Sequence, residues 1–351
     1  MWVKEKSLLS VIDCRDKVRW NGIIDEFSEQ DIYFSHEYFT GSLLLDEGEA
    51  ILFFFKNGNG KVAYPVIKRK IANSANMELW DITTPYGYGG PLISANGNQQ
   101  ALLLEFREAV DEYCKANRIV SEFVRFHPLL DNHNGLQSSM EVVHANNTVR
   151  IGLQEDGDLL GRIPGKNRNM IRKAMKNGVE IKKIGLEENL EEFILIYYAT
   201  MRRNDAAAFY FFTEAYFRKT IELFGEDIHL FGAFVDGKMI SATLILTRGN
   251  YMHYHLSGSL DGYRNLGANN LLIFKIAEWG QGRGIQNFHL GGGYSGQEDS
   301  LYRFKKTFTA EGPSEFYIGK KIHNPNLYQM LVLEKEIPEE SRYFPLYRSP
   351  N

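Results

Sequence analysis

The same succession of elements runs through this sequence twice. Residues 50–56, a turn Asn57-Gly58-Asn59-Gly60 and residues 61–67 read as a β-hairpin by their turn chemistry. Residues 229–235, a turn Asp236-Gly237 and residues 238–246 repeat it with the same Gly-Lys exit. After each hairpin the pattern predicts a strand, a loop rich in Gly and Tyr, an amphipathic helix and a further strand. In the first copy these are residues 77–82, 83–91, 100–117 and 120–126, and in the second 251–257, 258–267, 270–282 and 285–290. Leu102, Leu103, Phe106, Val110 and Tyr113 form an apolar stripe suited to covering a sheet, as do Leu271, Leu272, Phe274, Ile276, Ala277 and Trp279. A chain of 351 residues with 44% hydrophobic content has enough material for two such cores. The expected organisation is α/β: a first domain over residues 1–147, a second over 148–320 carrying any reaction centre, and a tail 321–351 packing on the first. The link falls near residues 146–157, where a strand-like Thr148 to Leu153 runs into Gln154-Glu155-Asp156-Gly157.

Charge narrows the partners. The net charge is only −4, with Lys and Arg scattered among Asp and Glu. That balance disfavours a long nucleic acid held by counterion release, while a short RNA end is still compatible with it. Lys166, Arg168, Arg172, Lys173 and Lys176 make a basic helical segment that reads first as a solvated face. Cys14 and Cys114 have no metal-ligand spacing and give no disulfide framework, so a reducing compartment and no metal are expected. The apolar stretch within residues 7–13 is too short for a signal-peptide core, and the run 51–55 is strand-sized. A cytoplasmic protein is expected, linked to membranes only through a lipid-borne substrate.

One stretch of the second half carries a resemblance by the order and spacing of its pieces. These are Tyr254-His255-Leu256-Ser257-Gly258-Ser259, Asn269-Asn270-Leu271-Leu272, Phe288-His289-Leu290-Gly291-Gly292-Gly293 and Ser300 through Phe308. In this order the chain resembles tandem GNAT acyltransferases of the Fem type (FemABX), which build peptidoglycan bridges. Pro85-Tyr86-Gly87-Tyr88-Gly89-Gly90-Pro91 is similar to relatives assigned to envelope polysaccharide or peptidoglycan chemistry. The resemblance implies two tandem GNAT domains, each a mixed sheet flanked by helices. Some Fem proteins insert a long antiparallel helical pair into the second half; no heptad pattern of that length occurs here, which excludes RNA binding by such an arm.

Acyl transfer to an amine needs a deprotonated nucleophile, a polarised carbonyl and a stabilised oxyanion. The resemblance puts Lys305 near the donor carbonyl, where an ammonium offsets developing charge, with Phe304 beside it. Read alone, Arg303, Lys305 and Lys306 also fit a solvated basic turn. Tyr254 offers a phenol to the acyl carbonyl or the leaving group, and equally fits core packing; His253 and His255 share its strand. Arg264-Asn265-Leu266-Gly267-Ala268 resembles the GNAT loop that cradles pyrophosphate at a helix start, although Asn269 departs from the Gly or Ala preferred there. Arg264, Gly267 and Ala268 are therefore donor-binding candidates, and acyl-CoA is the cofactor they favour. Arg203, more than Arg202, together with Tyr210, stands where Fem-type enzymes hold the phosphates of a nucleotide-linked acceptor. Tyr86 and Tyr88 offer an aromatic lip for a sugar ring or acyl chain, with Asp81 a base beside it.

These features imply an N-acyltransferase acting on an amino group of a cell-envelope precursor, a peptidoglycan stem peptide or an amino sugar carried on a nucleotide or lipid. The donor is either acyl-CoA or an aminoacyl-tRNA engaged by its acceptor end. A non-catalytic GNAT-like module that binds a nucleotide-linked sugar or peptide is the alternative, because a fold does not by itself establish turnover.

Overall fold

The computed structural model describes residues 9–154, 157–294, 298–335, 337 and 341–349; Ser7 and Leu8 of the N-terminal stretch and Glu155 and Asp156 of the expected link lie outside the described residues. The chain divides into two compact units. The first takes Met1–Glu29, Tyr33–Ala145 and Glu315–Asn351, and the second takes Gln30–Ile32 and Asn146–Ser314. The return to the first unit begins at Glu315, because Ile318 to Ile322 of the strand Ser314–Ile322 pair antiparallel with Arg125 to Ser121.

In the first unit the hairpin Glu49–Asn57 and Gly60–Ile71 forms, with Asn57 opposite Gly60. Gly60–Ile71 pairs next with Leu79–Thr83, which lies parallel to Ile119–Arg125. The helix Gln99–Ala116 makes that parallel crossover, and the Asn98 side chain caps its start by accepting from Ala101 N–H. Its buried Leu102, Leu103, Phe106, Val110 and Cys114 join Phe53, Phe55, Val62 and Val124 in one core. Ser10–Asp13 adds an edge to the hairpin, and Leu92–Ala95 pairs with the start of Gly60–Ile71.

The second unit repeats the plan. Ile228–Val235 and Lys238–Arg248 form a hairpin around Asp236 and Gly237, whose φ values of 49° and 76° give the left-handed pair that a two-residue turn needs. Lys238–Arg248 pairs with Tyr251–Ser259, and the helix Ala268–Gln281 crosses to the parallel strand Asn287–Gly291. Glu180–Ile184 closes one edge of this sheet, and the end of Glu141–Gly152 pairs with Asn287–Gly291 on the other side. Leu271, Leu272, Ile276 and Ala277 pack against Phe231, Met252, Phe288 and Leu290. No helix among the described residues is long and apolar enough to cross a membrane.

The two copies differ where the parallel strands end. In the first, pairing runs from Trp80↔Ile119 to Thr83↔Phe123, and a further bridge joins Gly89 to Phe126. In the second, it stops after Tyr251↔Asn287, Met252↔Phe288 and His253↔His289. From Tyr254 and Leu290 onward those strands no longer hydrogen-bond to each other, so the second sheet has a notch where the first is stitched shut.

Candidate functional site in the second unit

Tyr254 is the first residue beyond the paired stretch. A bulge in the ladder between Leu244 and Ile245 places Ile245 opposite Tyr254 and leaves His255 as the extra residue, which re-aims the strand at this point. Across the notch, the helix Ser300–Lys306 is started by Asp299, whose carboxylate accepts from Tyr302 N–H. This helix carries Lys305 inward until the residue is only 7% exposed. Its ammonium donates to Gly292 O at 2.7 Å and lies 6.0 Å from the centroid of the Tyr254 ring. Gly292 follows the end of Asn287–Gly291 that no longer pairs with Tyr251–Ser259, so Lys305 reaches into the notch.

Burial shapes the titration of this cluster. Removal from water lowers Lys305 from its ordinary value to about 8, opposed by the charge of Asp299. It pushes the Tyr254 phenol up to about 12 and lowers His255 to about 4, the latter with help from His253. Near neutrality the notch therefore holds an ammonium, a neutral phenol and a neutral imidazole. His253 itself is buried and donates from Nε2 to the Asp31 carboxylate at 2.7 Å. Asp31 thus joins the second unit from far away in sequence, and no local pattern could have announced it.

A cavity of about 220 Å³ opens at the head of the helix Ala268–Gln281, lined by Ser241, Ser259, Arg264, Gly267, Ala268, Asn270 and Phe304 among others. All four donor-binding candidates, Phe304, Arg264, Gly267 and Ala268, meet in its wall. Gly267 has φ 75° and would bring a Cβ to 2.8 Å from Met170 O, so both backbone shape and space require glycine. Arg264 is exposed and reaches Asp261 at 3.3 Å. Asn269, the departure from the loop pattern, has a structural use: its side-chain oxygen lies 2.6 Å from Ser241 Oγ, which also donates to Gly258 O.

Sequence reasoning missed the residues that brace this site. Asn270 Nδ2 donates to the buried Asn167 Oδ1 at 2.6 Å, and Asn167 Nδ2 donates to Thr307 O at 3.1 Å. The cavity wall, the helix Gly165–Lys176 and the end of the Lys305 helix are thereby tied together. Asp299 was readable as a helix start, being an Asp ahead of a short amphipathic run.

The acceptor candidates have other surroundings. Arg203 ends the helix Leu186–Arg203 and donates to Ser259 O at 2.8 Å, so it ties the helix to the strand that borders the cavity while also facing Asp261 at 3.4 Å. Tyr210 follows it; its carbonyl accepts from Tyr197 and its ring packs on Phe209. Tyr86 and Tyr88 belong to the first unit. Tyr38 donates to the Tyr86 carbonyl, and the Tyr88 ring meets Tyr33, His127 and Phe316 edge-on. Asp81 does not fit the role of a base. It is buried between Arg69 and Arg348 and accepts from Tyr347, because it anchors the tail.

Residues 165–306 match the model of an acetyltransferase (GNAT) domain. A stretch of 173 residues is 29% identical to UDP-N-acetylmuramoylpentapeptide-lysine N(6)-alanyltransferase from Weissella viridescens, covering 48% of this chain and 50% of that protein. The alignment thus spans half the length of that relative. Among solved structures, FemX superposes with a TM-score of 0.70 at 14% identity over 90% of this chain and 98% of that one. A tandem GNAT protein from the clavulanic acid biosynthesis pathway superposes with a TM-score of 0.50 at 10% identity over 91% and 99%.

The second unit carries a GNAT domain, and the chain shares its fold with FemX.

The GNAT match begins with the helix Gly165–Lys176 and ends with the Lys305 helix, so it encloses the cavity and the notch together. The FemX likeness covers nine-tenths of the chain and so includes both copies of the repeated plan. Together they establish two tandem GNAT-like folds.

Proposed function

We propose that this Fem-like protein is an N-acyltransferase that moves an aminoacyl group onto an amine of a nucleotide-linked peptidoglycan precursor. The observation that carries the reading is the buried Lys305 ammonium, held by Gly292 O in the unpaired notch of the second unit, on the same short helix as Phe304 of the cavity wall. The resemblance to an alanyltransferase of a muramoyl pentapeptide supports the acceptor class and the aminoacyl donor. In the reaction the acceptor amine forms a C–N bond to the acyl carbonyl, and the bond from that carbon to the donor oxygen breaks. The Lys305 ammonium would stabilise the oxyanion between the two steps, and the Tyr254 phenol would give its proton to the leaving oxygen and recover one from the attacking amine, so that the amine proton ends on the released donor hydroxyl. Arg203 and Tyr210, in the second unit, would face the phosphates of the acceptor; Tyr86 and Tyr88, in the first unit, would separately offer an aromatic surface to a sugar ring or acyl chain. A nucleotide-linked acceptor places the reaction in the cytoplasm.

A second donor, acyl-CoA, is favoured by one observation: Arg264, Gly267 and Ala268 form a turn at the head of a helix and line the cavity, which suits a pyrophosphate. With this donor the bond that breaks is carbon to sulfur, and the roles of Lys305 and Tyr254 are unchanged.

The test is incubation with a UDP-linked muramyl pentapeptide and either alanyl-tRNA or acetyl-CoA, followed by mass spectrometry of the peptide. Lys305→Met should lower kcat by ~10²–10³ while acceptor affinity stays unchanged. Acceptor binding without turnover from either donor would favour the non-catalytic module.

A further inference from the structure

The helix Gly165–Lys176 has the sequence GKNRNMIRKAMK, with five cations and no acid. Its buried residues, Asn167, Ile171 and Ala174, mark one side. At 100° per residue, Lys166, Arg168, Arg172, Lys173 and Lys176 fall within a single arc on the other side. Lys166, Arg172, Lys173 and Lys176 are exposed, and Arg168 is partly so, with one donation to Gly161 O. Among the described residues none of the five is in an ion pair with an acid.

Other helices of the second unit are built differently. Arg218 pairs with Glu214, Lys219 with Glu222 and Lys275 with Glu278, each within its own helix. In a chain of net charge −4, the unneutralised face is therefore a local feature of this helix, not a reflection of composition. Its position is equally specific. Met170 packs against Gly267 at the cavity, Asn167 bonds to Asn270 in the cavity wall, and the same Asn167 bonds to Thr307 after the Lys305 helix. Arg303 and Lys306, both exposed on that helix, add two further cations.

From Lys166 to Lys176 the cations extend over about 15 Å of helix. One phosphate or pyrophosphate cannot meet all of them, whereas a backbone with a phosphate at each residue can. We propose that the exposed face of the helix Gly165–Lys176 docks the phosphodiester backbone of the RNA that carries the acyl group, presenting its 3′ end to the cavity. This inference rests on the reading of the donor as an aminoacyl-RNA. It needs no helical arm, and it reconciles an RNA donor with an otherwise acidic chain.

The experiment measures fluorescence anisotropy of a labelled acceptor-stem hairpin RNA with a single-stranded 3′ tail, titrated with the full chain over a range of salt concentrations. The wild type should bind with a steep salt dependence. The triple variant Arg172→Gln/Lys173→Gln/Lys176→Gln should bind at least 10-fold more weakly at low salt, with a log–log salt slope reduced by about two to three. Its thermal midpoint and its affinity for the UDP-linked muramyl pentapeptide should match the wild type. Arg218→Gln/Lys219→Gln, on another exposed helix, should bind RNA as the wild type does. RNA-dependent transfer with unchanged RNA affinity in the triple variant would overturn the docking face and leave the donor reading intact. Absence of RNA binding by the wild type, with transfer from acetyl-CoA, would overturn both. Vesicles of phosphatidylglycerol and phosphatidylcholine that bind the wild type and lose the triple variant, where RNA shows no such loss, would reassign the face to a membrane.

Discussion

Lys305 combines two properties that oppose each other. Burial lowers its pKa to about 8, yet its proposed role needs the charged form. The folded protein binds that proton less tightly than the unfolded chain does, so the protonated lysine costs stability at all pH values below about 8. That cost is relieved as pH rises from about 8 toward the unfolded value. Loss of the ammonium should show directly in catalysis: kcat should fall on the alkaline side with an apparent pKa near 8. Lys305→Arg keeps a charge that does not titrate in this range, so whatever activity it retains should lack that descending limb. A pH–rate profile of the two proteins checks this, and identical alkaline limbs would remove Lys305 from the reaction centre. Tyr254, pushed up to about 12, stays protonated across the same range and cannot produce the limb.

Two glycines separate what an element needs for its own shape from what it needs for packing. At Gly237 a Cβ would meet nothing within 4 Å, and the cost of Gly237→Ala comes from φ 76° alone, about 1 kcal/mol. At Gly258 a Cβ would lie 2.6 Å from Ile196 O, so Gly258→Ala must push the strand Tyr251–Ser259 away from the helix Leu186–Arg203. That displacement breaks the Arg203 bond to Ser259 O beside the cavity. Urea denaturation should show a loss of roughly 3 kcal/mol or more for Gly258→Ala, with weakened acceptor binding, against a stability change alone for Gly237→Ala. Equal effects at the two positions would contradict the close packing. The contrast also marks what was legible in the sequence. Asp236-Gly237 announces its hairpin, and the stripe from Leu271 to Trp279 announces its helix, because both signals are local. The order of hairpin, strand, loop, helix and strand follows from such signals in both halves. The end of pairing at His253, the extra residue His255 and the stitch from Gly89 to Phe126 depend on partners distant in sequence. So do the Asp31–His253 pair and the bonds of Asn167, which is why the family resemblance pointed to Phe304, Arg264, Gly267 and Ala268 but not to what braces them.

At the scale of the whole molecule, the chain leaves the first unit at Asn146 and comes back to it at Glu315, so the first fold is complete only when the C-terminal segment is in place. Asp81 fastens that segment. Its buried carboxylate faces Arg69 at 2.9 Å and Arg348, and it accepts from Tyr347, which also contacts Ser121. Tyr328, Leu331 and Tyr347 then pack with Ile71, Leu79 and Val120. Asp81→Asn leaves two guanidinium groups without their shared anion, a loss of about 3 kcal/mol, at the low end for a broken buried pair because the Arg348 head reaches water. The expected result is a lowered unfolding transition of the first unit in calorimetry and faster proteolysis of the segment after Ile322, with the transition of the second unit unchanged. Arg348→Ala should free the tail to proteolysis while costing less, because the Asp81–Arg69 pair survives. If neither variant altered tail cleavage, the Asp81 cluster would not be what fastens the returning segment, and the apolar contacts of Tyr328 and Leu331 would have to do so alone.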